Sequence, residues 1–150
     1  MAVLRERPYL RFNFLVNLGT GDTEGPEAGF QECSRISMGV DVVEYRNGND
    51  RDNAPRKLTG LARVDDVTLR RGIIGGLNLY KWLNQIRDGD QSALRTVVIQ
   101  LQNEDRSAIV MTWRLLGARI IRHTSGPLDA RSSDVAIEEI VLAYERLELE

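Results

Sequence analysis

The chain has 150 residues, of which 42% are hydrophobic and 28% are charged, and its formal net charge at pH 7 is −2. This length supports one domain with its own hydrophobic core and argues against two domains. The balanced charge excludes a strong general attraction to nucleic acids or membranes, and the single cysteine, Cys33, excludes an intramolecular disulfide framework and a cysteine-rich zinc site.

The first part of the chain predicts strands joined by polar connections. Residues 1–8 predict a flexible N-terminus, and residues 10–18 alternate between apolar and polar side chains, which is typical of a half-buried strand. A glycine-containing connection at 19–29 leads to a second extended stretch over 30–45. Within that stretch, Gly39 indicates a bulge or a close backbone approach.

A long polar segment, residues 46–60, follows and predicts an extended loop. It contains glycine, asparagine, aspartate and proline, which disrupt regular structure, together with arginines and a lysine, which are rarely buried without a partner. A loop of this length is uncommon in a compact domain and is usually functional or disordered. Because none of its residues is chemically reactive, we expect it to contact a partner rather than to catalyse a reaction.

The second half of the chain predicts one helix among further strands. Residues 62–71 predict a strand, and in residues 77–88 the apolar side chains recur at the spacing of one helix face, with Gly89 placed to end the helix. Strand patterns resume over 94–102, 109–115, 118–122 and 135–147, with a turn at 103–106 and a second loop at 124–134. Because many strands surround one helix without a βαβ repeat, we predict a mainly β fold, an antiparallel sandwich or barrel.

The residue types that catalysis requires are scarce. His123 is the only histidine, which excludes a two-histidine metal site and leaves one candidate base. Acidic surroundings are expected to raise the pKa of the Cys33 thiol rather than activate it. The neighbouring carboxylates Asp65-Asp66 and Glu138-Glu139 point to opposite faces of a strand. We therefore predict that the protein is not an enzyme and requires no cofactor or metal.

Several predicted strands carry polar side chains on the face opposite the core. One interpretation is ordinary solvent exposure of one side of an antiparallel sheet. The other is that these side chains line a water-filled channel in an assembly, and periodicity alone does not separate the two. The residues that would line such a channel are Thr68, Arg70, Gln100, Gln102, Thr112 and Arg114.

Several short motifs follow one another in a fixed order from Tyr9 onward. They are residues 11–16 (RFNFLV), 28–30 (AGF), 43–46 (VEYR), 53–60 (NAPRKLTG), 67–72 (VTLRRG), 79–84 (LYKWLN), 112–113 (TW), 135–138 (VAIE) and 144–145 (YE). Their order and spacing resemble the inner-tube proteins of contractile phage tails and of bacterial contractile injection systems. The connection at 19–28 is longer than the simplest pattern of that family.

The resemblance implies a small β-barrel or sandwich with one helix that forms six-membered rings. Strands of neighbouring subunits would join into one barrel around a lumen, and stacked rings would form a hollow tube that a contracting sheath drives through a target envelope. The implied partners are further copies of the chain, the sheath protein, baseplate and terminator or cap proteins, and cargo or DNA in the lumen. No cofactor and no stable membrane association are implied.

By analogy, the 46–60 loop would reach a neighbouring subunit or the adjacent ring. The contact candidates within it are Arg46, Asn47, Asp50, Arg51, Asn53, Pro55, Arg56 and Lys57. The expected partners on the other two loops are Glu24, Glu27, Asp129 and Asp134. The hypothesis is that cations of the 46–60 loop pair with these carboxylates, while Pro55 stiffens the segment.

Three alternatives stay open at this point: a tube-initiating baseplate paralogue, a ring-forming tube protein of type VI secretion, and an unrelated β-barrel that binds a small ligand. The N-terminus lacks a signal-peptide core and no apolar run reaches the roughly 18 residues of a membrane helix. We therefore expect cytoplasmic synthesis and assembly, followed by incorporation into a virion or an injection particle, with possible release outside the cell.

Overall fold

The structure is a computed structural model that describes residues 1–150. It contains nine strands, one α-helix, α1 (Asn78–Arg87), and a short 3-10 helix at Pro26–Ala28. The strands are β1 (Phe14–Asn17), β2 (Glu32–Cys33), β3 (Met38–Tyr45), β4 (Arg56–Val64), β5 (Val67–Gly72), β6 (Arg95–Gln102), β7 (Ile109–Ser125), β8 (Ile137–Ala143) and β9 (Arg146–Leu149). The predicted mainly β fold with a single α-helix is confirmed, and neither helix is long and apolar enough to cross a lipid bilayer.

Seven strands form one antiparallel sheet in the order β1-β6-β7-β8-β5-β2, with β9 also paired to β7. The 17-residue β7 joins two layers, because its first half pairs with β6 and β9 while its second half pairs with β8. Gly117 lies between these halves at φ +63°, and a Cβ there would lie 2.9 Å from a carboxylate oxygen of Glu145. Residues 109–115 and 118–122, predicted as separate strands, are therefore one strand with an irregularity at a backbone conformation that glycine adopts without strain.

The hydrophobic core lies between the two layers and against one face of α1. Its buried members are Val16, Leu18, Val67, Leu69, Leu79, Trp82, Val97, Ile99, Leu115, Ala118, Ile120, Ile140, Leu142 and Tyr144. On β5, buried Val67 and Leu69 alternate with half-buried Thr68 and exposed Arg70, as the predicted period of two requires. On β5 the apolar side chains thus set which face points inward.

Helix α1 begins and ends within one residue of the predicted 77–88 span. Leu79 and Trp82 are its buried side chains, and the Trp82 indole N–H donates to the carbonyl of Ala93 at 2.9 Å. The Arg95 guanidinium lies 4.5 Å from the centroid of the Trp82 ring, a cation–π distance. These contacts fix the helix against β7 and close one side of the core.

Strands β3 and β4 pair only with each other and form a hairpin, Met38–Val64, which we call the arm. The predicted 46–60 loop is too long by five residues, because β4 begins at Arg56 and only 46–55 connects the strands. Pairing with β3 satisfies the backbone of residues 56–59 while their side chains stay exposed. The composition of residues 46–60 indicated exposed polar side chains, but it did not indicate that part of the segment pairs with β3.

Two further predicted boundaries are wrong for a related reason. The stretch 62–71 is not one strand, because the chain leaves the arm at Asp65-Asp66 and enters the main sheet as β5. The stretch 30–45 likewise divides into β2, which pairs with β5, and β3, which belongs to the arm. In both places one apolar pattern continues across a point where the partner strand changes.

Residues 1–8 lie along the turn that joins β6 to β7. The Arg5 guanidinium donates to both carboxylate oxygens of Glu104 at 3.0 and 2.5 Å and lies 3.8 Å from the centroid of the Tyr9 ring. The backbone N–H of Val3 donates to the carbonyl of Val110 at 2.9 Å. These contacts show where residues 1–8 lie. The predicted flexibility of the segment is a statement about its motion, and it stays a prediction.

We expect Glu104→Gln to release this segment. Hydrogen bonds from Arg5 and from the Leu10 backbone N–H lower the pKa of the Glu104 carboxyl from 4.5 to about 2. Because the pKa is lower in the folded state, the contact is fully present above about pH 4.5 and is lost as the pH falls toward 2. At neutral pH, trypsin should cleave after Arg5 faster in Glu104→Gln than in the control Glu24→Gln, which neutralises an exposed carboxylate remote in sequence from the cleavage site, and equal rates would contradict this.

Candidate subunit interface

The arm exposes apolar side chains over most of its length. Those more than half exposed are Met38, Val40, Val42, Val43, Tyr45, Leu58 and Leu61. A contiguous apolar surface on a soluble domain usually marks an interaction site, and an isolated two-stranded hairpin is marginally stable at best. The arm therefore requires a partner surface that its own chain does not supply.

One face of the arm is apolar from its base to beyond its middle. Met38 lies opposite Val64, and Val40 lies opposite Ala62. Val42 lies on the same face, because alternate residues of a strand point the same way. We call Met38, Val40, Val42, Ala62 and Val64 the apolar face of the arm.

The opposite face combines apolar and charged side chains. Val43 lies opposite Leu58, and Tyr45 follows on the same side. Nearer the base, Arg63 Nε lies 2.5 Å from a carboxylate oxygen of Asp41, and both side chains are exposed to solvent. Because apolar residues occur on both faces, contact along one side alone would leave apolar surface in water.

The connection at the end of the arm is held by its own hydrogen bonds. The Arg46 side chain donates to the backbone carbonyl of Asp52 at 3.0 Å and to that of Asp50 at 2.9 Å. The Asp50 carboxylate accepts from the backbone N–H of Asn47 at 3.0 Å. Arg46, Asn47 and Asp50, which the sequence analysis named as contact candidates, therefore also organise the connection itself.

The remaining contact candidates have fewer contacts within the chain and are freer to pair with another molecule. The Arg56 guanidinium lies 3.6 Å from the Asp50 carboxylate, but its side chain is 67% exposed. Arg51 and Lys57 are exposed and form no ion pair within the chain, and Pro55 is exposed as well. Asn53 accepts one long hydrogen bond, 3.5 Å, from Arg46. Lys57 and Arg51 are thus the cations best placed to pair with another molecule.

The four carboxylates proposed as partners also differ in whether they are already paired within the chain. Asp129 is already paired with Arg131 at 3.2 Å, and hydrogen bonds from the Arg131 backbone and side chain lower the pKa of its carboxyl. The Glu27 carboxylate packs beside Gly76. Glu24 and Asp134 are exposed and form no ion pair within the chain. The arm makes no ion pair with any of the four in its own chain.

The predicted channel-lining residues fall on two surfaces. Thr68 and Arg70 point away from the core on β5. The remaining candidates lie on β6 and the first half of β7, and they are Gln100, Gln102, Thr112 and Arg114. Thr112 is 5% exposed, so its side chain is covered within the subunit. A lumen-facing role for the other five residues stays a prediction.

The structure contains a buried polar network that was not predicted from the sequence. The Arg71 side chain is 1% exposed, and its Nε lies 2.5 Å from the Glu138 carboxylate. Its other nitrogens donate to the Glu27 carbonyl at 2.5 Å and to the Asn78 side chain at 2.8 Å. His123 Nε2 lies 3.0 Å from the second Glu138 oxygen. The only available signal was that Arg71 occupies an inward position in the alternation of β5.

The surroundings of Cys33 make its thiol less reactive, whereas those of a catalytic cysteine make the thiol more reactive. Burial, with a smaller contribution from Glu32, raises the pKa of the thiol to about 11. A thiol with such a pKa is almost entirely protonated and unreactive at neutral pH. This agrees with the expected effect of its surroundings.

A closed core without an evident reaction centre, joined to an arm that has no partner in its own chain, defines a subunit of a larger assembly. The T4-like virus tail tube protein gp19 family matches residues 10–148, and this chain belongs to that family. The structural resemblance to the inner tubes of contractile machines, drawn from the motifs, is confirmed.

Solved structures of contractile injection systems contain similar chains. One in the sheath–tube complex of the extracellular system PVC, in its extended state, is 29% identical, with a TM-score of 0.83 and coverage of 97% of this chain and 93% of that chain. One in the PVC sheath/tube terminator is 30% identical, with a TM-score of 0.82 and coverage of 97% and 98%. One in the baseplate of the anti-feeding prophage is 27% identical, with a TM-score of 0.82 and coverage of 97% of each chain.

A more distant likeness concerns the fold alone. Hcp1 from Flavobacterium johnsoniae is 10% identical, with a TM-score of 0.54 and coverage of 91% of this chain and 93% of that chain. None of the curated protein sequences compared with this chain matches it.

Proposed function

We propose that this chain is the structural subunit of the inner tube of a contractile injection system or phage tail. Six copies form a ring, and stacked rings form a hollow tube that is driven through a target envelope and passes cargo. The observation that carries this proposal is the arm: in a member of the tail tube family, a hairpin with apolar side chains on both faces extends from a closed core and has no partner in its own chain.

The partners follow from the same assembly. The tube would be surrounded by a sheath protein, would begin at a baseplate and would end at a terminator or cap, and cargo or DNA would occupy the lumen. Similar chains occur in structures of a sheath–tube complex, a terminator and a baseplate, which supports this set of partners. The subunit itself is structural and non-enzymatic, consistent with the unreactive setting of Cys33.

Negative-stain microscopy of the purified protein at increasing concentration tests the proposal. Six-fold rings that stack into hollow rods as the concentration rises are the expected result. A protein that remains monomeric at high concentration would overturn it. A single ring that never stacks would instead indicate the tube-initiating baseplate paralogue, because such a protein starts the tube without polymerising.

Charge reversal at the end of the arm should weaken ring stacking. Lys57 has no ionic partner within its chain, so we propose that it pairs with a carboxylate such as Glu24 or Asp134 of another copy. An exposed pair contributes about 0.2–1 kcal/mol, but the contact would be repeated in every subunit of each ring. Lys57→Glu, and Arg56→Glu beside it, should therefore raise the concentration at which tubes form several-fold.

The matched control for this experiment is Lys81→Glu, which makes the same charge change at an exposed position on α1. Tube formation can be followed by light scattering and pelleting, with tube lengths measured by microscopy. Normal assembly of both Lys57→Glu and Arg56→Glu would rule out a role for these cations in stacking.

A further inference from the structure

The arm joins the main sheet at a gap in backbone pairing. On the sheet side, the backbone N–H of Ser34 donates to the carbonyl of Thr68 at 2.9 Å. On the arm side, the backbone N–H of Asp65 donates to the carbonyl of Ser37 at 3.1 Å. The two chain segments that run between these points make no backbone hydrogen bond with each other. Rotation at the gap therefore changes the direction of the arm without breaking a backbone hydrogen bond of the main sheet.

A buried hydroxyl without a partner lies beside this gap. Tyr144 is 7% exposed, and its hydroxyl forms no hydrogen bond. Leu142 lies opposite Val67 in the pairing of β8 with β5. Continuing this register by two residues places Tyr144 on the same inward face, level with Asp65. Burial, together with the charges of Asp65 and Asp66, raises the pKa of the phenol. Buried hydroxyls are nearly always hydrogen-bonded in proteins, so this one requires an explanation.

A matching acceptor lies at the end of the arm that is nearest the main sheet. The Asp65 side chain is exposed to solvent and forms no ion pair within the chain. Because the backbone N–H of the same residue makes the hydrogen bond to Ser37 that ends the arm, this carboxylate moves when the arm moves. A donor that lacks an acceptor and an acceptor that lacks a donor thus lie on the two sides of one gap.

We propose that the gap is a hinge and that the Tyr144 hydroxyl is its latch: when the arm takes its position in the assembly, the hydroxyl donates to the Asp65 carboxylate. This inference rests on the proposed function, since it concerns the position of the arm once copies have assembled. In the isolated subunit the unpaired hydroxyl does not restrain the angle of the arm. In the assembled subunit the new hydrogen bond stabilises one angle, and a bond to a carboxylate is about twice as strong as one between neutral groups. The latch therefore favours assembly without itself contacting another copy.

Tyr144→Phe tests the latch, because it removes the hydroxyl and keeps the aromatic ring in the core. No hydrogen bond is lost in the isolated subunit, so the melting temperature of the monomer should stay the same or rise. The concentration at which rings form, measured by analytical ultracentrifugation, should rise at least fivefold. Tyr80→Phe is the matched control, since it removes a hydroxyl from a tyrosine on α1 that is 49% exposed, and it should change neither quantity.

A second pair of variants tests the acceptor. Asp65→Ala should raise the ring-forming concentration by about the same factor as Tyr144→Phe, whereas Asp66→Ala, which removes the neighbouring exposed carboxylate, should leave it unchanged. The double variant Tyr144→Phe/Asp65→Ala should raise this concentration no further than either single change, because each change alone already removes the bond.

Three results would overturn the latch and leave the proposed function standing. The first is a lower melting temperature of the Tyr144→Phe monomer, which would show that the hydroxyl is already paired in the isolated subunit. The second is unchanged ring formation by Tyr144→Phe. The third is a double variant in which the effects of the two single changes add up. Failure of the unaltered chain to form rings at any concentration would refute the proposed function instead.

Discussion

Aspartate at both Val42 and Val43 is expected to abolish assembly while leaving the fold of the subunit intact. The two side chains lie on opposite faces of the arm, so the double variant places a charge on whichever face is covered. Burying a valine side chain contributes about 1.5–3 kcal/mol, so losing that contribution on the covered face alone weakens each contact by at least about tenfold. Burial of an unpaired carboxylate would add to that loss.

The measurement is analytical ultracentrifugation with microscopy of the same samples. In the isolated subunit Val42 is 57% exposed and Val43 is 54% exposed, so the melting temperature of the monomer should change little. Val135→Asp is the matched control, because Val135 is 72% exposed and lies on the loop before β8. Tubes formed by the double variant at the wild-type concentration would show that the arm is not an assembly contact.

The second large effect is expected inside the subunit, at Glu138. Replacing it with alanine leaves the Arg71 guanidinium buried without its carboxylate, since Arg71 is 1% exposed. Breaking a buried ion pair from one side costs about 3–5 kcal/mol, which corresponds to a fall in melting temperature of roughly 6–20 °C for a chain of this size. Urea denaturation followed by tryptophan fluorescence measures the loss.

The neighbouring residue provides the control. Glu139 faces solvent and lies 3.4 Å from Arg70, a side chain that is 45% exposed, so Glu139→Ala should cost less than about 1 kcal/mol. The double variant Arg71→Met/Glu138→Leu should recover much of the stability lost in Glu138→Ala, because no unpaired charge is left buried. Equal losses in Glu138→Ala and Glu139→Ala would contradict a structural role for the network.

Much of the fold follows from local sequence patterns. The helix over 78–87 was predicted closely because one apolar stripe and a following glycine specify it without reference to the rest of the chain. The inward faces of β5 and β6 were also predictable, since the alternation of apolar and polar residues has the period of a strand. Each of these patterns is formed by residues that lie within a few positions of one another in the sequence.

The predicted boundaries failed where a strand changes partner. The 46–60 loop ends five residues early because β4 begins at Arg56, where residues 56–59 pair with β3. Strand β7 continues through Gly117 because β6, β8 and β9 pair with its two halves. The Arg71–Glu138–His123 network joins three strands that are far apart in sequence. No local pattern records which distant residue supplies the missing partner.

The sequence by itself determined that this is a mainly β domain with one helix and few catalytic residue types, and it predicted that the polar 46–60 segment contacts a partner. Only the tertiary structure decided that this segment ends an exposed hairpin, that apolar side chains occupy both faces of that hairpin, and that the sheet leaves a groove between two unpaired edges. The physical reason is that exposure and unpaired edges are properties of the whole packed chain. A valine in the arm and a valine in the core follow the same strand pattern, and they differ only in what the rest of the fold brings against them.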